Sequence, residues 1–241
     1  MSRSSLRGSA ITAEIRKAQA AAAAPLPASP KPGANSKAGK TGKAGAPAAA
    51  PQGAGEIRII GGQWKRTRLK VAHRPGLRPT PDRVRETLFN WLGQDLAGWR
   101  CLDAFAGTGA LGLEAASRGA ASVLLVESDA ALVAQLQGLQ AKLQAGAVRV
   151  QRGDGVATLR QAAPASLDLV LIDPPFDGDL FAPALQAAAQ AVAAEGFVYL
   201  EAPRAWSDED LAASGLVLHR HLKAGAVHAH LLRRAAAAPP R

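Results

Sequence analysis

"LDLVLIDPPFDGDL", residues 167–180, runs from a continuous apolar stretch, Leu169–Ile172, into an aspartate, two prolines and a phenylalanine. Apolar residues in unbroken succession suit a strand covered on both faces, as in the middle of a parallel sheet. Ending it at Asp173 puts a carboxylate at the strand tip, and Pro174–Pro175 stiffen the chain just beyond it. A terminator and a surface loop would explain the prolines alone. A rigid polar clamp at the mouth of a ligand site, with Phe176 as an aromatic plate, explains the whole stretch.

The surrounding pattern decides for the clamp. Strands are predicted over 100–105, 122–127, 148–152, 168–173, 196–201, 215–222 and 226–233, and Ala/Leu/Gln-rich helical segments separate the first five. That alternation implies an α/β fold with a parallel sheet covered on both faces. The last two strands are joined too tightly for a helical crossover, so they form an antiparallel hairpin. The expected architecture is a seven-stranded, Rossmann-like sheet whose last strand is reversed.

"LDAFAGTGALGLEAASRG" places Gly107, Thr108, Gly109 and Gly112 after the first of these strands and at the start of a helix. Glycines there let the backbone approach a ligand at the helix N-terminus. G-x-G-x-x-G alone also fits a nicotinamide dinucleotide. Asp103, four residues before the first glycine, favours a ligand carrying positive charge, such as the ammonium and sulfonium of S-adenosylmethionine. Glu127 ends the second strand and suits ribose hydroxyls, whereas Asp154, after the third, suits an adenine amino group. Each acid alone would read as a loop or helix-cap residue. Asp103, Glu127, Asp154 and Asp173 together end successive parallel strands, where such sheets bind ligands.

For a nucleobase amine as substrate, the Asp173 carboxylate and the Pro174 carbonyl would accept its N–H protons. The nitrogen lone pair would then point at the sulfonium methyl, with the prolines fixing the acceptors and Phe176 stacking on an unpaired base. Asp173, Pro174, Pro175 and Phe176 are therefore the expected catalytic set.

Charge is segregated along the 241 residues: +7 over residues 1–55, +6 over 56–100 and −3 over the remainder, for a net +10. This implies a polyanion met by the N-terminal part. Residues 1–55, rich in Ala, Pro, Lys and Gly, read as a disordered basic tail, with a transient helix over Ile11–Ala24 and a targeting peptide as the weaker alternative. Residues 56–98 read as an RNA-facing hairpin and helix, and 99–235 as the catalytic domain. In "EIRIIGGQWKRTRLKVA" two short strands flank Gly61–Gly62; in "LRPTPDRVRETLFNWL" Thr80 is placed to cap a helix that begins at Pro81. Lys65, Arg66, Arg68, Arg78, Arg83 and Arg85 are the expected phosphate contacts. No apolar run reaches a membrane span of roughly 18 residues, and Cys101 is the single cysteine, so a soluble, cytoplasmic protein is expected.

"DAFAGTG", "VE", "GD" and "DPPF" resemble the class I S-adenosylmethionine-dependent methyltransferases acting on nucleobase amines. More closely, "RIIGGQWKRTRLKV", "GLRPTPDRVRETLFNWL", "CLDAFAGTGALGLEAASRGA" and "LVLIDPPF" resemble the RsmD family of 16S rRNA guanine-N2 methyltransferases. The resemblance runs from Arg58 to the C-terminal hairpin and omits the tail. It implies methylation of one guanine amine (family target guanine 966) in the 30S subunit or its assembly intermediate, by a monomer. By motif, Asp103, Gly107, Thr108 and Gly109 would line the cofactor's methionine, Glu127 its ribose and Asp154 its adenine. The strand "AVHAHLL" departs from the tyrosine-containing sequence expected there.

Three other functions compete. They are a DNA adenine-N6 methyltransferase, a non-catalytic RNA-binding assembly factor, and an NAD-dependent oxidoreductase, which the proline clamp disfavours. In "LHRHLKAGAVHAHLL", a turn at Ala224–Gly225 would set His221 opposite His228 and His219 opposite His230, all on one side. Four such imidazoles suit a metal, but a polar edge is preferred and no metal is expected.

Overall fold

The computed structural model describes residues 55–71, 80–176 and 179–235. The tail, the helix over Ile11–Ala24 and Arg78 lie outside the described residues.

Strands β1 (Gly55–Arg58) and β2 (Arg68–Val71) form a two-stranded antiparallel sheet. The main sheet holds β3 (Arg100–Asp103), β4 (Ser122–Glu127), β5 (Val148–Arg152), β6 (Leu167–Ile172), β7 (Val192–Ala202), β8 (Leu216–Ala224) and β9 (Val227–Arg234). Their order is β5-β4-β3-β6-β7-β9-β8. Pairing is parallel from β5 to β7, while β9 runs antiparallel to both β7 and β8. The chain leaves β3 in one direction and returns to its other side at β6, so the switch point for ligand binding lies between these two strands.

The helices are α1 (Asp82–Trp91), α2 (Ala110–Ser117), α3 (Ala130–Lys142), α4 (Gly155–Gln161), α5 (Phe181–Ala191) and a single turn, α6 (Asp208–Leu211). Every residue of α2 is buried, as its nearly all-apolar sequence requires. One core packs Cys101, Leu125, Leu171 and Tyr199 of the sheet against α1, α2 and the β1–β2 hairpin. On the other face Leu102, Val170, Ile172 and Leu200 pack against α4, α5 and α6. Among the described residues no helix is long and apolar enough to cross a membrane.

One local expectation is corrected. Thr80 does not cap α1: the helix begins at Asp82, Pro81 precedes it, and the Pro81 carbonyl accepts the N–H groups of Val84 and Arg85. Strands β1 and β2 do flank Gly61–Gly62, which lie within the 59–67 connection. Those glycines are pressed onto the end of α2, where a Cβ on Gly62 would lie 1.8 Å from the Ser117 carbonyl oxygen. They allow the hairpin to dock rather than to reverse.

Candidate active site

Alternation along the strands puts the acids on one face. Asp103 lies in register with Leu125 of β4 and Leu171 of β6, and Leu171 with Tyr199 of β7. Two residues further along each neighbour stand Glu127, Asp173 and Glu201, so their side chains emerge on the same side as that of Asp103. Three of the four expected carboxylates, Asp103, Glu127 and Asp173, are therefore brought to adjacent strand tips, on the face covered by α2.

Asp103 is 1% exposed. Its Oδ2 accepts the Gly112 N–H at 3.0 Å, which ties β3 to the first turn of α2. A Cβ on Gly112 would meet Leu125 Cδ2 at 2.2 Å and Asp103 Oδ2 at 3.1 Å, so a larger residue would displace the Leu125 methyl and crowd the carboxylate. Oδ1 has no well-directed partner among the described residues. Burial, and then the charges of Glu127 and Glu201, push the Asp103 pKa up from 3.8 to about 7, against the N–H groups of Gly112 and Phe105.

Glu127 clamps the glycine loop. Its Oε2 accepts the Gly107 N–H at 2.9 Å and its Oε1 the Asp129 N–H at 2.9 Å. Thr108 is buried, and Gly109 leads into α2 with a positive φ of 80°. Asp154 caps α4, its Oδ1 accepting the Ala157 N–H at 2.6 Å. The helix-cap reading thus applies to Asp154, and the cap fixes its carboxylate at the tip of β5.

Asp173 is partly buried, Pro174 buried, and Pro175 and Phe176 exposed. Burial, then the charges of Glu201 and Asp103, hold the Asp173 carboxyl well above its ordinary pKa. Phe176 is 43% exposed and backs onto Phe181 at a ring separation of 6.4 Å, and Phe181 onto Trp206 at 5.9 Å.

Glu201 was not among the expected residues. It ends β7 as Asp173 ends β6, and its Oε1 accepts the Tyr199 hydroxyl at 2.9 Å. Burial raises its pKa, while hydrogen bonds from Thr80 and Tyr199 and the Arg85 charge pull it back. The rule that found the other acids, a carboxylate at a parallel strand's C-terminal tip, applies equally to "VYLEA".

The family model described as Conserved hypothetical protein 95 matches residues 57–233. The chain belongs to this family. It is the RsmD family, whose motifs the sequence resembles. The Escherichia coli K12 protein named Ribosomal RNA small subunit methyltransferase D is 52% identical over 124 residues, covering 52% of this chain and 62% of that relative. The match thus spans less than two thirds of that relative's length. The Haemophilus influenzae protein of the same name is 43% identical over 133 residues, 54% of this chain and 69% of its own. Among solved structures, the Escherichia coli protein yhhF, described as a candidate methyltransferase, superposes with a TM-score of 0.64 at 39% identity. That likeness covers 76% of this chain and 100% of yhhF.

Within this RsmD-family chain the basic residues divide. Lys65, Arg66, Arg68 and Arg83 are exposed, with Arg68 paired to Glu56 at 3.1 Å. Arg85 is not a phosphate contact: it is 1% exposed and bonded to Glu114, Asp82 and the carbonyls of Arg58 and Thr80. A guanidinium so enclosed cannot reach RNA; it holds α1, α2 and the hairpin together.

The His221 and His228 rings do meet, Nε2 to Nδ1 at 2.9 Å, but the backbone register of the histidines is corrected. β8 ends at Ala224, opposite Val227, one residue later than expected, so His221 faces His230 and Lys223 faces His228. A register shift between Leu218 and Arg220 turns His219 to the other face, against Phe197 at 5.8 Å. His230 is buried; its Nε2 accepts the Trp206 N–H at 3.0 Å. Burial lowers its pKa to about 4, so it stays neutral.

Proposed function

We propose that this protein is an S-adenosylmethionine-dependent methyltransferase of small-subunit rRNA, acting on the exocyclic N2 amine of a guanine. One observation carries the reading: Asp103, Glu127 and Asp173 share a sheet face at the switch point, where the buried Asp103 Oδ1 has no well-directed partner among the described residues. A buried carboxylate oxygen without a well-directed donor is costly unless a further donor or a cation meets it.

These residues fit the cofactor. Asp103 would accept the cofactor's ammonium, and Glu127, fixed between the glycine loop and α3, its ribose hydroxyls. Gly107, Thr108 and Gly109 would let the backbone lie against it, with Asp154 at the adenine. When bound, the cofactor supplies an electrophilic methyl group on a sulfonium.

The remaining chemistry belongs to the chain. Asp173 and the Pro174 carbonyl would accept the two N2–H bonds of the base, turning the nitrogen lone pair outward. The amine loses one proton as its new N–C bond forms. Asp173, whose proton affinity is raised by burial and by Glu201, suits that proton. Phe176, backed by Phe181, would stack on the unpaired base. Lys65, Arg66, Arg68 and Arg83 would hold phosphates without reading sequence.

The specific acceptor we propose is guanine 966 of 16S rRNA, in the 30S subunit or its assembly intermediate. Mass-spectrometric mapping of rRNA from cells lacking the protein tests this. One N2-methylguanine of the small subunit should disappear and return on complementation. An unchanged map would end the proposal.

A further inference from the structure

We propose that Glu201 accepts the N1–H of the target guanine and so determines that the base is guanine. The inference rests on the methyl-transfer reading and assigns specificity within the same site. β6 and β7 are in register at Ile172 and Leu200, so the next residues, Asp173 and Glu201, stand side by side on one sheet face. A guanine offers N2–H and N1–H as adjacent donors along one edge, which two neighbouring carboxylates match. Adenine has an unprotonated N1 at the corresponding place, and its lone pair would meet a carboxylate.

The surroundings of Glu201 prepare it for this task. The Tyr199 hydroxyl donates to Oε1 at 2.9 Å, and the Thr80 hydroxyl donates to the same carboxylate. A carboxylate has about four lone-pair positions, so two donors orient it and leave acceptor capacity beside Asp173. Thr80 leads into α1, and Arg85, on the first turns of that helix, adds positive charge nearby. A site built on buried acceptors rejects a ligand lacking the matching donor more strongly than an apolar pocket does.

Small subunits rebuilt with either guanine or 2-aminopurine at the mapped position test the proposal. 2-Aminopurine keeps the 2-amino group, but its N1 is an acceptor. The wild-type protein should favour guanine in kcat/KM by roughly 10- to 100-fold. In Glu201→Gln the Tyr199 hydroxyl holds the amide oxygen, and the NH2 group turns to the base. The preference should then invert towards 2-aminopurine. A glutamate that only anchors Tyr199 and Thr80 would lower both activities equally and leave the ratio unchanged, which overturns the inference while the methyl-transfer reading stands. Wild-type protein that methylates neither particle overturns both. Should the variant be inactive on both, equilibrium binding of the two particles, read by 2-aminopurine fluorescence and competition, decides by the same ratio.

Discussion

Arg85 and Glu114 form an ion pair, Nη1 to Oε2 at 3.2 Å, with side-chain exposures of 1% and 0%. Glu114 also accepts the backbone N–H groups of Ile60 and Gly61, at 2.8 and 2.7 Å, and two bonds from Arg118. It is the acceptor that holds the N-terminal hairpin on α2. Glu114→Ala should therefore cost about 3–5 kcal/mol, because it removes the carboxylate that balances two buried guanidinium groups and leaves two N–H groups without their acceptor. Urea unfolding should show a lower midpoint. A loss below about 1 kcal/mol would mean that the hairpin is held by its apolar contacts instead.

Asp103 is held near pKa 7 in the folded protein, against an ordinary 3.8. The folded state then binds more protons than the unfolded state between these values. Stability accordingly falls as pH rises through that window, and the penalty is complete above about pH 7. Three pKa units correspond to an upper bound on the order of 4 kcal/mol. Asp103→Asn removes the ionisation and leaves an oxygen for the Gly112 N–H. Its melting temperature relative to wild type should rise between pH 5 and pH 8, while cofactor binding is lost. The same difference at both pH values would show that Asp103 ionises freely.

Local rules made much of this legible. The acids at strand tips follow from composition and period alone, and so do the parallel block and the reversed last strand. Glu201 obeys the same rule, but only the in-register pairing of β6 and β7 makes it a neighbour of Asp173. Arg85 sits in a basic segment that reads as solvent-facing, and its burial depends on Glu114, 29 residues later. No local pattern contains that partner. The histidine register differed for a smaller reason, a turn one residue later than expected, which moves the opposed residue by two while His221 and His228 still touch.

Asp173→Ala should reduce kcat by at least about 10²–10³-fold, as loss of a preorganised acceptor does, while leaving cofactor affinity within a small factor. Wild-type turnover should also fall as pH drops through a value above the usual carboxylate range. Burial, Glu201 and Asp103 all help Asp173 hold its proton, and the protonated form offers one fewer acceptor. Single-turnover rates with calorimetry of cofactor binding would check both. Undiminished transfer in the variant removes Asp173 from the chemistry.

The basic hairpin is tested through salt. Lys65 and Arg66 are exposed, and removing one phosphate-binding side chain should flatten the slope of log affinity against log salt by about 0.7–0.9. Arg66 has a positive φ of 70°, which a side chain rarely adopts, so Arg66→Gly removes the charge without adding backbone strain. Combined with Lys65→Ser it should flatten the slope by about 1.5 and leave the melting temperature unchanged or higher. Arg85 is unsuitable for the same test, because it is buried and removing it takes a charge partner from buried Glu114. Filter binding of small-subunit rRNA from low to moderate salt gives the slope. An unaltered slope in the double variant would show that phosphates are met elsewhere on the molecule.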